Sequence, residues 1–453
     1  FTYHFGFHSS VAVLHWLTRL PVVDATLWAG QLLNGMAVMA VYPLAVRVTG
    51  SRWGGVWAVL LAGLLAPMPM FYTNWGRYTQ LAGLVILPAA VWLTWEAVDM
   101  PQRHGRLLAL VALVGGGLAL THYRVLLFYG VFVLALALVS FMWGTWRETM
   151  VRLAWVGLGA FLLFLPWFLN TFGGNWPRIL GRQLTTRPSQ LRAQAKESNA
   201  VGSIENYLSP VWWLAMLLGL GIGLWRRQRG VLLVGLWILL LFIAANPAWL
   251  SLPGTGVLTN FALFIAVYLP ASLLAGVLVA CIVQKMGDRR WALVLIMFVL
   301  IGLGVWGASQ RLKDLDPEYH AMVTHPDARA AAWIRENTSP EARFLVNSFR
   351  AYGGSVVAGA DGGWWLPLLA ERPNTTPPFT YSTELDRSSS YRQQVEELAD
   401  AVQSRDLDDP VVLNLLRQQD VSHVYVGQRQ GRVGNSEPTV LKPEKLLDSP
   451  HYQ

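Results

Sequence analysis

Long stretches without a single charged residue most restrict what this chain of 453 residues can fold into. A membrane-crossing helix needs about 20 consecutive, mostly apolar residues. Charge-free windows cover residues 25–46, 53–76, 78–95, 107–123, 125–146, 153–177, 206–225, 230–284 and 291–310. The window 230–284 is too long for one span, and the segments 245–248 and 253–256 in its middle predict a turn. The sequence therefore predicts a polytopic α-helical membrane protein with about ten transmembrane helices.

Composition supports this class of protein. Hydrophobic residues make up 54% of the chain and charged residues 14%, against about 25% charged in soluble domains. These values exclude a disordered chain and an ordinary soluble enzyme. The windows lack the alternating pattern of barrel strands, so their backbone groups can be satisfied in lipid only as helices. The single Cys281 excludes an intramolecular disulfide framework and a cysteine-ligated metal.

The basic residues of the short loops predict the orientation of the spans. Twelve of them fall in one set of alternate loops: Arg47, Arg52, Arg103, Arg106, Arg147, Arg152, Arg226, Arg227, Arg229, Lys285, Arg289 and Arg290. The opposite short loops contain only Arg77 and Arg124. Because basic loops stay in the cytoplasm, the first set is predicted to be cytoplasmic. With ten spans, both chain ends then lie on the outer face.

Three segments follow from this topology: an outer-face segment 1–24, a transmembrane domain 25–310, and an extracytoplasmic α/β domain 311–453. Residues 1–310 have a formal charge of +13 and residues 311–453 one of −5. A basic membrane part joined to an acidic tail accounts for the overall charge, so no nucleic-acid partner is predicted. In the tail, helices are predicted at 327–337, 391–404 and 409–418, and strands at 343–347, 355–358 and 421–426.

The two outer arginines mark the tips of two predicted hairpins, in the segments 74–80 and 121–124. Arginine at an outer tip runs against the positive-inside rule, which favours a function for Arg77 and Arg124. A guanidinium suits phosphate, so these residues, with Tyr78 and His122 beside them, form a candidate site for a lipid-linked phosphate at the outer leaflet. His122 could also act as a proton shuttle. The alternative is that both arginines reach lipid headgroups and His122 packs at the interface.

Two further groups of polar residues lie on the predicted outer face. His4 and His8 are spaced like metal ligands on a helix, but Gly6 lies between them and no acidic residue is near, so a structural or sugar-binding role is favoured over a metal site. The loop 178–205 carries five basic residues, for which a solvated or headgroup-bound amphipathic helix is favoured: Arg178, Arg182, Arg187, Arg192 and Lys196. No cofactor is predicted, although use of a divalent metal stays open.

In the tail, Asp361 precedes two glycines and a pair of tryptophans, Trp364 and Trp365. An Asp-Gly-Gly sequence predicts a tight turn that presents these rings. Aromatic rings suit sugars or peptide acceptors, and a carboxylate can accept hydrogen bonds from hydroxyl groups. The alternative is that the tryptophans pack against the membrane surface.

The arrangement of these motifs resembles the C-type (GT-C) superfamily of integral-membrane glycosyltransferases, and the resemblance covers nearly the whole chain. It rests on the segments Tyr3–His8, Trp75–Tyr78, Thr121–Arg124, Ala332–Thr338 and Ala360–Pro367. The resemblance implies transfer of a sugar from a polyprenyl-phosphate carrier at the outer face of the cell membrane. It also implies a catalytic Asp or Glu in a first outer loop, which would precede Phe1, so we expect the chain to be clipped at its start.

Two other classes of function stay open from the sequence. One is a non-catalytic envelope-assembly membrane protein that shares the fold. The other is a lipid or polysaccharide transporter, which the nearly charge-free spans disfavour. Sugar, acceptor and oligomeric state are not determined by the sequence.

Overall fold

The computed structural model of the protein describes residues 3–99, 104–174, 176–185, 204–287, 289–351, 354, 356–382, 384, 390–430 and 440–452. The chain divides into two compact units. The helical unit comprises His4–Asn170 and Pro177–Leu315, and the tail unit comprises Asp316–Gln453 with Phe1–Tyr3 and Thr171–Trp176. Arg187, Arg192 and Lys196, which the sequence places in an outer basic loop, lie outside the described residues, as does the side chain of Arg182.

Apolar helices account for most of the helical unit. In chain order they are α1 (Gly6–Thr18), α2 (Val22–Met39), α3 (Val41–Thr49), α4 (Arg52–Leu60), α5 (Phe71–Asn74), α6 (Tyr78–Asp99), α7 (His104–Thr121), α8 (Tyr123–Met142), α9 (Trp146–Phe172), α10 (Trp176–Thr185), α11 (Pro210–Trp225), α12 (Arg229–Ala245), α13 (Asn260–Phe264), α14 (Tyr268–Met286) and α15 (Arg290–Lys313).

Every charge-free window of the sequence overlaps one or more of these helices, and the window 230–284 contains both α12 and α14. Within the described residues, six helices are long and apolar enough to cross a membrane: Val22–Thr49, Tyr78–Asp99, Tyr123–Met142, Trp146–Phe172, Tyr268–Met286 and Arg290–Lys313. Four more apolar helices are shorter: Arg52–Leu65, Gly105–Thr121, Pro210–Trp225 and Arg229–Ala245. The total of ten spans stays a prediction.

Glycines set how closely the helices of this unit pack. A Cβ on Gly219 of α11 would lie 1.9 Å from the carbonyl oxygen of Leu274 in α14. A Cβ on Gly276 of α14 would lie 2.7 Å from the carbonyl oxygen of Gly54 in α4. In lipid, helices gain little from hydrophobic burial between them, so close backbone approach through small residues is a main source of their packing energy.

An ion-pair network joins the helix ends that the sequence assigns to the cytoplasmic side. The guanidinium of Arg47, at the end of α3, lies 2.8 Å from the carboxylate of Asp99, at the end of α6. The guanidinium of Arg229, at the start of α12, lies 3.0 Å from the other oxygen of the same carboxylate. Loops that the charge pattern places on one side of the membrane therefore meet at one end of the bundle.

Two segments of the helical unit differ from the expectation. The second window is not one continuous helix, because α4 passes into a π-helical turn at Leu61–Leu65 and the chain then breaks before α5. Pro67 and Pro69 follow this turn, and two closely spaced prolines disfavour continuation of a helix because each lacks the backbone N–H and its ring crowds the preceding turn. The second difference is α1, a helix in the segment 1–24, for which the sequence predicts only a position on the outer face.

The tail unit combines short helices with two small sheets. Its helices are α16 (Pro317–His320), α17 (His325–Asn337), α18 (Leu366–Leu369), α19 (Tyr391–Ser404), α20 (Pro410–Gln418) and α21 (Pro443–Leu447). Its strands are β1 (Arg343–Val346), β2 (Ser348–Ala351), β3 (Val356–Gly359) and β4 (Val421–Tyr425). The parallel pair β1–β4 and the antiparallel pair β2–β3 form separate sheets. The predicted α17, α19, α20, β1, β3 and β4 are confirmed, whereas β2 is not foreseen.

Candidate functional site

His122 forms the tip of the hairpin between α7 and α8. Its Nδ1 atom accepts a hydrogen bond from the backbone N–H of Val125 at 3.4 Å, so that the side chain caps the 20-residue helix α8. An accepting Nδ1 has no proton, which assigns the ring proton of neutral His122 to Nε2. The ring is 7% exposed and therefore presents a fixed hydrogen-bond donor from a nearly buried position.

His4 packs against His122. The two ring centroids are 4.8 Å apart in an edge-to-face arrangement. Two glycines make room for this contact, since a Cβ on Gly6 would lie 2.7 Å from the Thr121 hydroxyl oxygen, and one on Gly83 would lie 3.1 Å from the His122 Cβ. The histidine pair therefore depends on close approach of α1 and α6 to the hairpin tip.

Burial, followed by the positive charges of His8 and Arg124, lowers the pKa of His4 to about 4. His4 is consequently neutral at physiological pH. His8 itself is exposed and contacts Phe7, with ring centroids 5.6 Å apart. The structure thus brings His4, but not His8, into ring contact with His122.

Both outer arginines act on this histidine pair. The guanidinium of Arg124 lies 5.5 Å from the centroid of the Tyr123 ring, and its charge reaches both His4 and His122. The charge of Arg77, on the other hairpin tip, also reaches His122. The two tips, which are distant in sequence, therefore lie close enough for both charges to act on one ring.

Arg77 lies in an aromatic surround. Its guanidinium carbon is 5.3 Å from the ring centroid of Trp75 and 5.1 Å from that of Phe261. Its backbone N–H donates to the carbonyl of Tyr72 at 2.9 Å, and Gly76 takes a φ of +61° in the turn between them. The left-handed conformation at Gly76, which glycine adopts without strain, turns the chain from α5 into α6.

No carboxylate among the described residues pairs with either arginine. Among the residues that the structure describes, Arg77 and Arg124 make no ion pair and no side-chain hydrogen bond, and the Nε atom of Arg124 is buried without a partner. Burying part of a guanidinium without a counter-charge is unfavourable unless an anion completes the site. Two such groups next to a neutral histidine donor are suited to a phosphate.

Tyr78 has a different position from the one predicted. Its ring is nearly buried against Gly30 of α2, where an added Cβ would lie 2.4 Å from the ring, and it contacts Phe7 at a centroid distance of 5.7 Å. Tyr78, the first residue of α6, therefore packs its ring against α1 and α2. Contact of its hydroxyl with a phosphate stays a prediction.

Asp361 in the tail unit organises a turn. It has no exposed surface, and its carboxylate accepts hydrogen bonds from the Asn347 side chain at 3.0 Å and from the backbone N–H groups of Gly363 at 2.9 Å and Gly427 at 3.1 Å. Burial raises the pKa of Asp361 above its usual value although these hydrogen bonds lower it. With its oxygens occupied in this way, Asp361 shapes the turn, and a direct contact with a sugar stays a prediction.

The two tryptophans after this turn have different environments. Trp364 donates from Nε1 to the carbonyl of Pro377 at 3.3 Å and meets Phe379 edge to face at 5.0 Å. Trp365 is 43% exposed and donates to the sulfur of Met322 at 3.3 Å. Of the predicted acceptor-binding residues in the tail, Trp365 is thus the one with an accessible aromatic face.

A metal-binding arrangement is not found in the part of the chain that the structure describes, where no group of three or more His, Cys, Asp or Glu side chains could hold an ion.

Sequence reasoning missed Phe261 and Tyr207, which complete the surround of Arg77. Both lie in predicted outer loops or at their edges, but neither has a motif that sets it apart from the many other aromatic residues. Only the folded chain brings the loops of residues 204–207 and 246–261 to the tip that bears Arg77.

Comparison with solved structures identifies the fold. The oligosaccharyltransferase of Archaeoglobus fulgidus in complex with Zn and sulfate superposes with a TM-score of 0.59 at 14% identity, over 94% of this chain and 59% of its own. The same archaeal protein, AglB, in complex with an inhibitory peptide and a dolichol-phosphate, gives 0.55 at 11% identity over 94% and 61%. ArnT from Cupriavidus metallidurans, bound to undecaprenyl phosphate, gives 0.52 at 15% identity over 93% and 85%.

These structures belong to the GT-C superfamily of membrane glycosyltransferases, and the resemblance seen in the sequence is confirmed at the level of the fold. The chain spans about three fifths of the length of the archaeal oligosaccharyltransferase. No protein-family model matches the sequence, and no curated protein matches it.

Proposed function

We propose that this chain, which has the GT-C fold, is a multi-pass membrane glycosyltransferase that moves a sugar from a polyprenyl-phosphate-linked donor to an acceptor at the outer face of the membrane. The observation that carries the proposal is that the charges of Arg77 and Arg124, neither of which pairs with a carboxylate in the described part of the chain, both act on the buried His122. Solved structures of the same fold hold dolichol-phosphate and undecaprenyl phosphate, which supports a lipid phosphate as the ligand.

The chemistry assigned to this site is stabilisation of the leaving group. When the bond between the sugar and the phosphate oxygen breaks, negative charge grows on the phosphate. Guanidiniums that are already positioned bind that charge more strongly in the transition state than in the ground state, which is the condition for catalysis. The Nε2–H of His122 would donate a further hydrogen bond without adding a charge of its own.

Activation of the acceptor requires a different group. The family resemblance implies an Asp or Glu of an outer loop for this role, and a single displacement would then invert the configuration of the sugar. Arg77, Arg124, His122 and Tyr78 are therefore proposed for the donor phosphate. Asp361, Trp364 and Trp365 of the tail unit are proposed as candidates for binding the acceptor or sugar, and His4 and His8 of the helical unit are separate candidates for the same role.

The outer location rests on the charge of the loops. Twelve basic residues fall on the side opposite Arg77 and Arg124, and the positive-inside rule then places the proposed site and the tail domain outside the cytoplasm. Modification of single introduced cysteines by a membrane-impermeant thiol reagent in intact cells, with Cys281 replaced by Ala, tests this assignment. Labelling at position 178 but not at position 226 is expected, and the reverse would overturn it.

Reconstituted vesicles test the activity. Full-length protein is incubated with a panel of radiolabelled monosaccharides linked to undecaprenyl phosphate, together with an acceptor fraction from the same envelope. Label that leaves the lipid and enters the acceptor, in wild type but not in a variant with Arg77→Gln and Arg124→Gln, supports the transferase. Movement of intact labelled lipid across the bilayer would instead identify a transporter, and binding with neither process would identify a non-catalytic protein.

A further inference from the structure

Three aromatic rings from three separate segments form a triangle beside Arg77. The ring centroids of Trp75 and Phe261 are 6.1 Å apart, those of Trp75 and Tyr207 are 6.3 Å apart, and those of Tyr207 and Phe261 are 6.0 Å apart. All three residues are half-buried. Two of these rings, Trp75 and Phe261, are also the ones that contact the guanidinium of Arg77.

Phe261 is held in place by a pair of buried amides. The side chain of Asn246, at the end of α12, donates to the Oδ1 atom of Asn260 at 2.8 Å, and Asn260 donates back to the Oδ1 atom of Asn246 at 3.0 Å. Asn246 also donates to the carbonyl of Phe242 at 2.9 Å. The two amides are 4% and 1% exposed, so this reciprocal pair, here termed the amide clasp, closes the loop between them from a buried position.

The clasp and the ring are linked through one short helix. Asn260 and Phe261 are the first two residues of α13, and the Thr259 side chain caps that helix by accepting a hydrogen bond from the Ala262 N–H at 3.3 Å. The residues on both sides of Phe261 are therefore fixed, Asn260 by the clasp and Ala262 by the cap hydrogen bond. Breaking the clasp would release the ring from Arg77.

We infer that the amide clasp of Asn246 and Asn260 positions Phe261 so that Phe261 and Trp75 hold Arg77 ready for a lipid-linked phosphate. The inference rests on the proposed function and names positioning residues for its phosphate site. Aromatic rings that cover a guanidinium leave its N–H edge free to form two parallel hydrogen bonds with phosphate. Holding the long side chain before the ligand arrives also removes part of the entropy loss on binding.

A double-mutant cycle on undecaprenyl phosphate binding to the purified full-length protein tests this inference. Phe261→Leu is expected to weaken binding about 3- to 10-fold, the size of a cation–π contact at a half-buried site. Phe261→Tyr keeps the ring and is expected to restore wild-type affinity. Phe164→Leu is the matched control and should change nothing, because it removes a half-buried ring whose aromatic contacts among the described residues are with Phe161 and Phe168.

The cycle separates positioning from a general structural effect. In an Arg77→Gln background, Phe261→Leu should cause no further loss, because the residue that it positions is gone. Asn260→Ala should behave like Phe261→Leu in both backgrounds, and affinity for undecaprenol, which lacks the phosphate, should stay unchanged in all variants.

Two results would count against the inference and are distinct from each other. If wild type binds undecaprenyl phosphate and Arg77→Gln weakens it, but Phe261→Leu weakens it equally in both backgrounds, the positioning role is wrong while the proposed function stands. If wild type does not bind undecaprenyl phosphate more tightly than undecaprenol, the proposed phosphate site is wrong, and the positioning role with it.

Discussion

Replacement of Arg124 by glutamine gives the sharpest prediction about the phosphate site. Arg124 is the second residue of α8, half-buried, with its Nε atom enclosed and without a hydrogen-bond partner among the described residues. The folded protein thus already bears the cost of partly desolvating this guanidinium, and a bound phosphate offsets it. A hydrogen bond to a charged group contributes about 1.5–3 kcal/mol, so that Arg124→Gln should weaken binding of undecaprenyl phosphate about 10- to 150-fold.

The same structural facts predict that the variant folds. Since no carboxylate in the described part of the chain pairs with Arg124, its removal leaves no buried anion behind, and the thermal unfolding temperature should stay within about 2 °C of wild type. Arg124→Lys should recover part of the affinity but not all, because an ammonium group cannot form the two parallel bonds of a guanidinium.

Arg147→Gln provides the matched control. Arg147 is the second residue of α9, follows an aromatic residue as Arg124 does, and is exposed in a loop predicted to be cytoplasmic. Affinities are measured by quenching of intrinsic tryptophan fluorescence in lipid nanodiscs at fixed ionic strength. Equal losses in Arg124→Gln and Arg147→Gln, or no loss in either, would refute the assignment of Arg124 to the phosphate.

Three further predictions concern the surroundings of the site. Gly30→Ala should cost about 1–3 kcal/mol of stability and also weaken undecaprenyl phosphate binding, because its Cβ would lie 2.4 Å from the Tyr78 ring. Gly35→Ala on the same helix is the control, because its Cβ would meet nothing within 4 Å. In parallel melting and binding experiments, this control should change neither stability nor affinity. Asp361→Asn should destabilise the tail unit by about 1–3 kcal/mol in chemical unfolding, because an amide NH₂ would replace a carboxylate oxygen that now accepts hydrogen bonds from N–H groups. Unchanged stability would contradict this role. Burial lowers the pKa of His4 from the ordinary 6.5 to about 4, so between these pH values the unfolded state binds more protons than the folded state. The free energy of unfolding should therefore fall by roughly 3 kcal/mol in total as the pH drops from 6.5 to 4. A His4→Gln variant with the same pH dependence in thermal unfolding would rule His4 out as the source of this effect.

The helices of the bundle could be predicted from the sequence because their signal is local. A run of apolar residues long enough to cross a membrane has few folded alternatives, and helix is found in each charge-free window. The second window was misjudged as one helix because hydropathy does not register the two prolines at positions 67 and 69. The strand β2 was missed because Ser348–Ala351 includes a charged residue and lacks the continuous apolar run of its partner β3.

The candidate site was predictable only in part. Arg77, Arg124 and His122 stood out because charge and imidazole are rare at outer hairpin tips, and the structure does bring the two tips together. Phe261 and Tyr207 gave no signal, because their importance lies in contacts between loops more than 120 residues apart in the chain. For Asp361, the sequence predicted a turn correctly, but the depth of its burial could not be read from the motif.

The position of a bound lipid phosphate tests the central claim most directly. Full-length protein in nanodiscs is imaged by cryo-electron microscopy with undecaprenyl phosphate present at saturating concentration. The account predicts phosphate density within hydrogen-bond distance of the guanidiniums of Arg77 and Arg124, next to the Nε2 atom of His122. Phosphate density at the opposite end of the bundle, near Arg47 and Arg229, or its absence from the two hairpin tips, would contradict it.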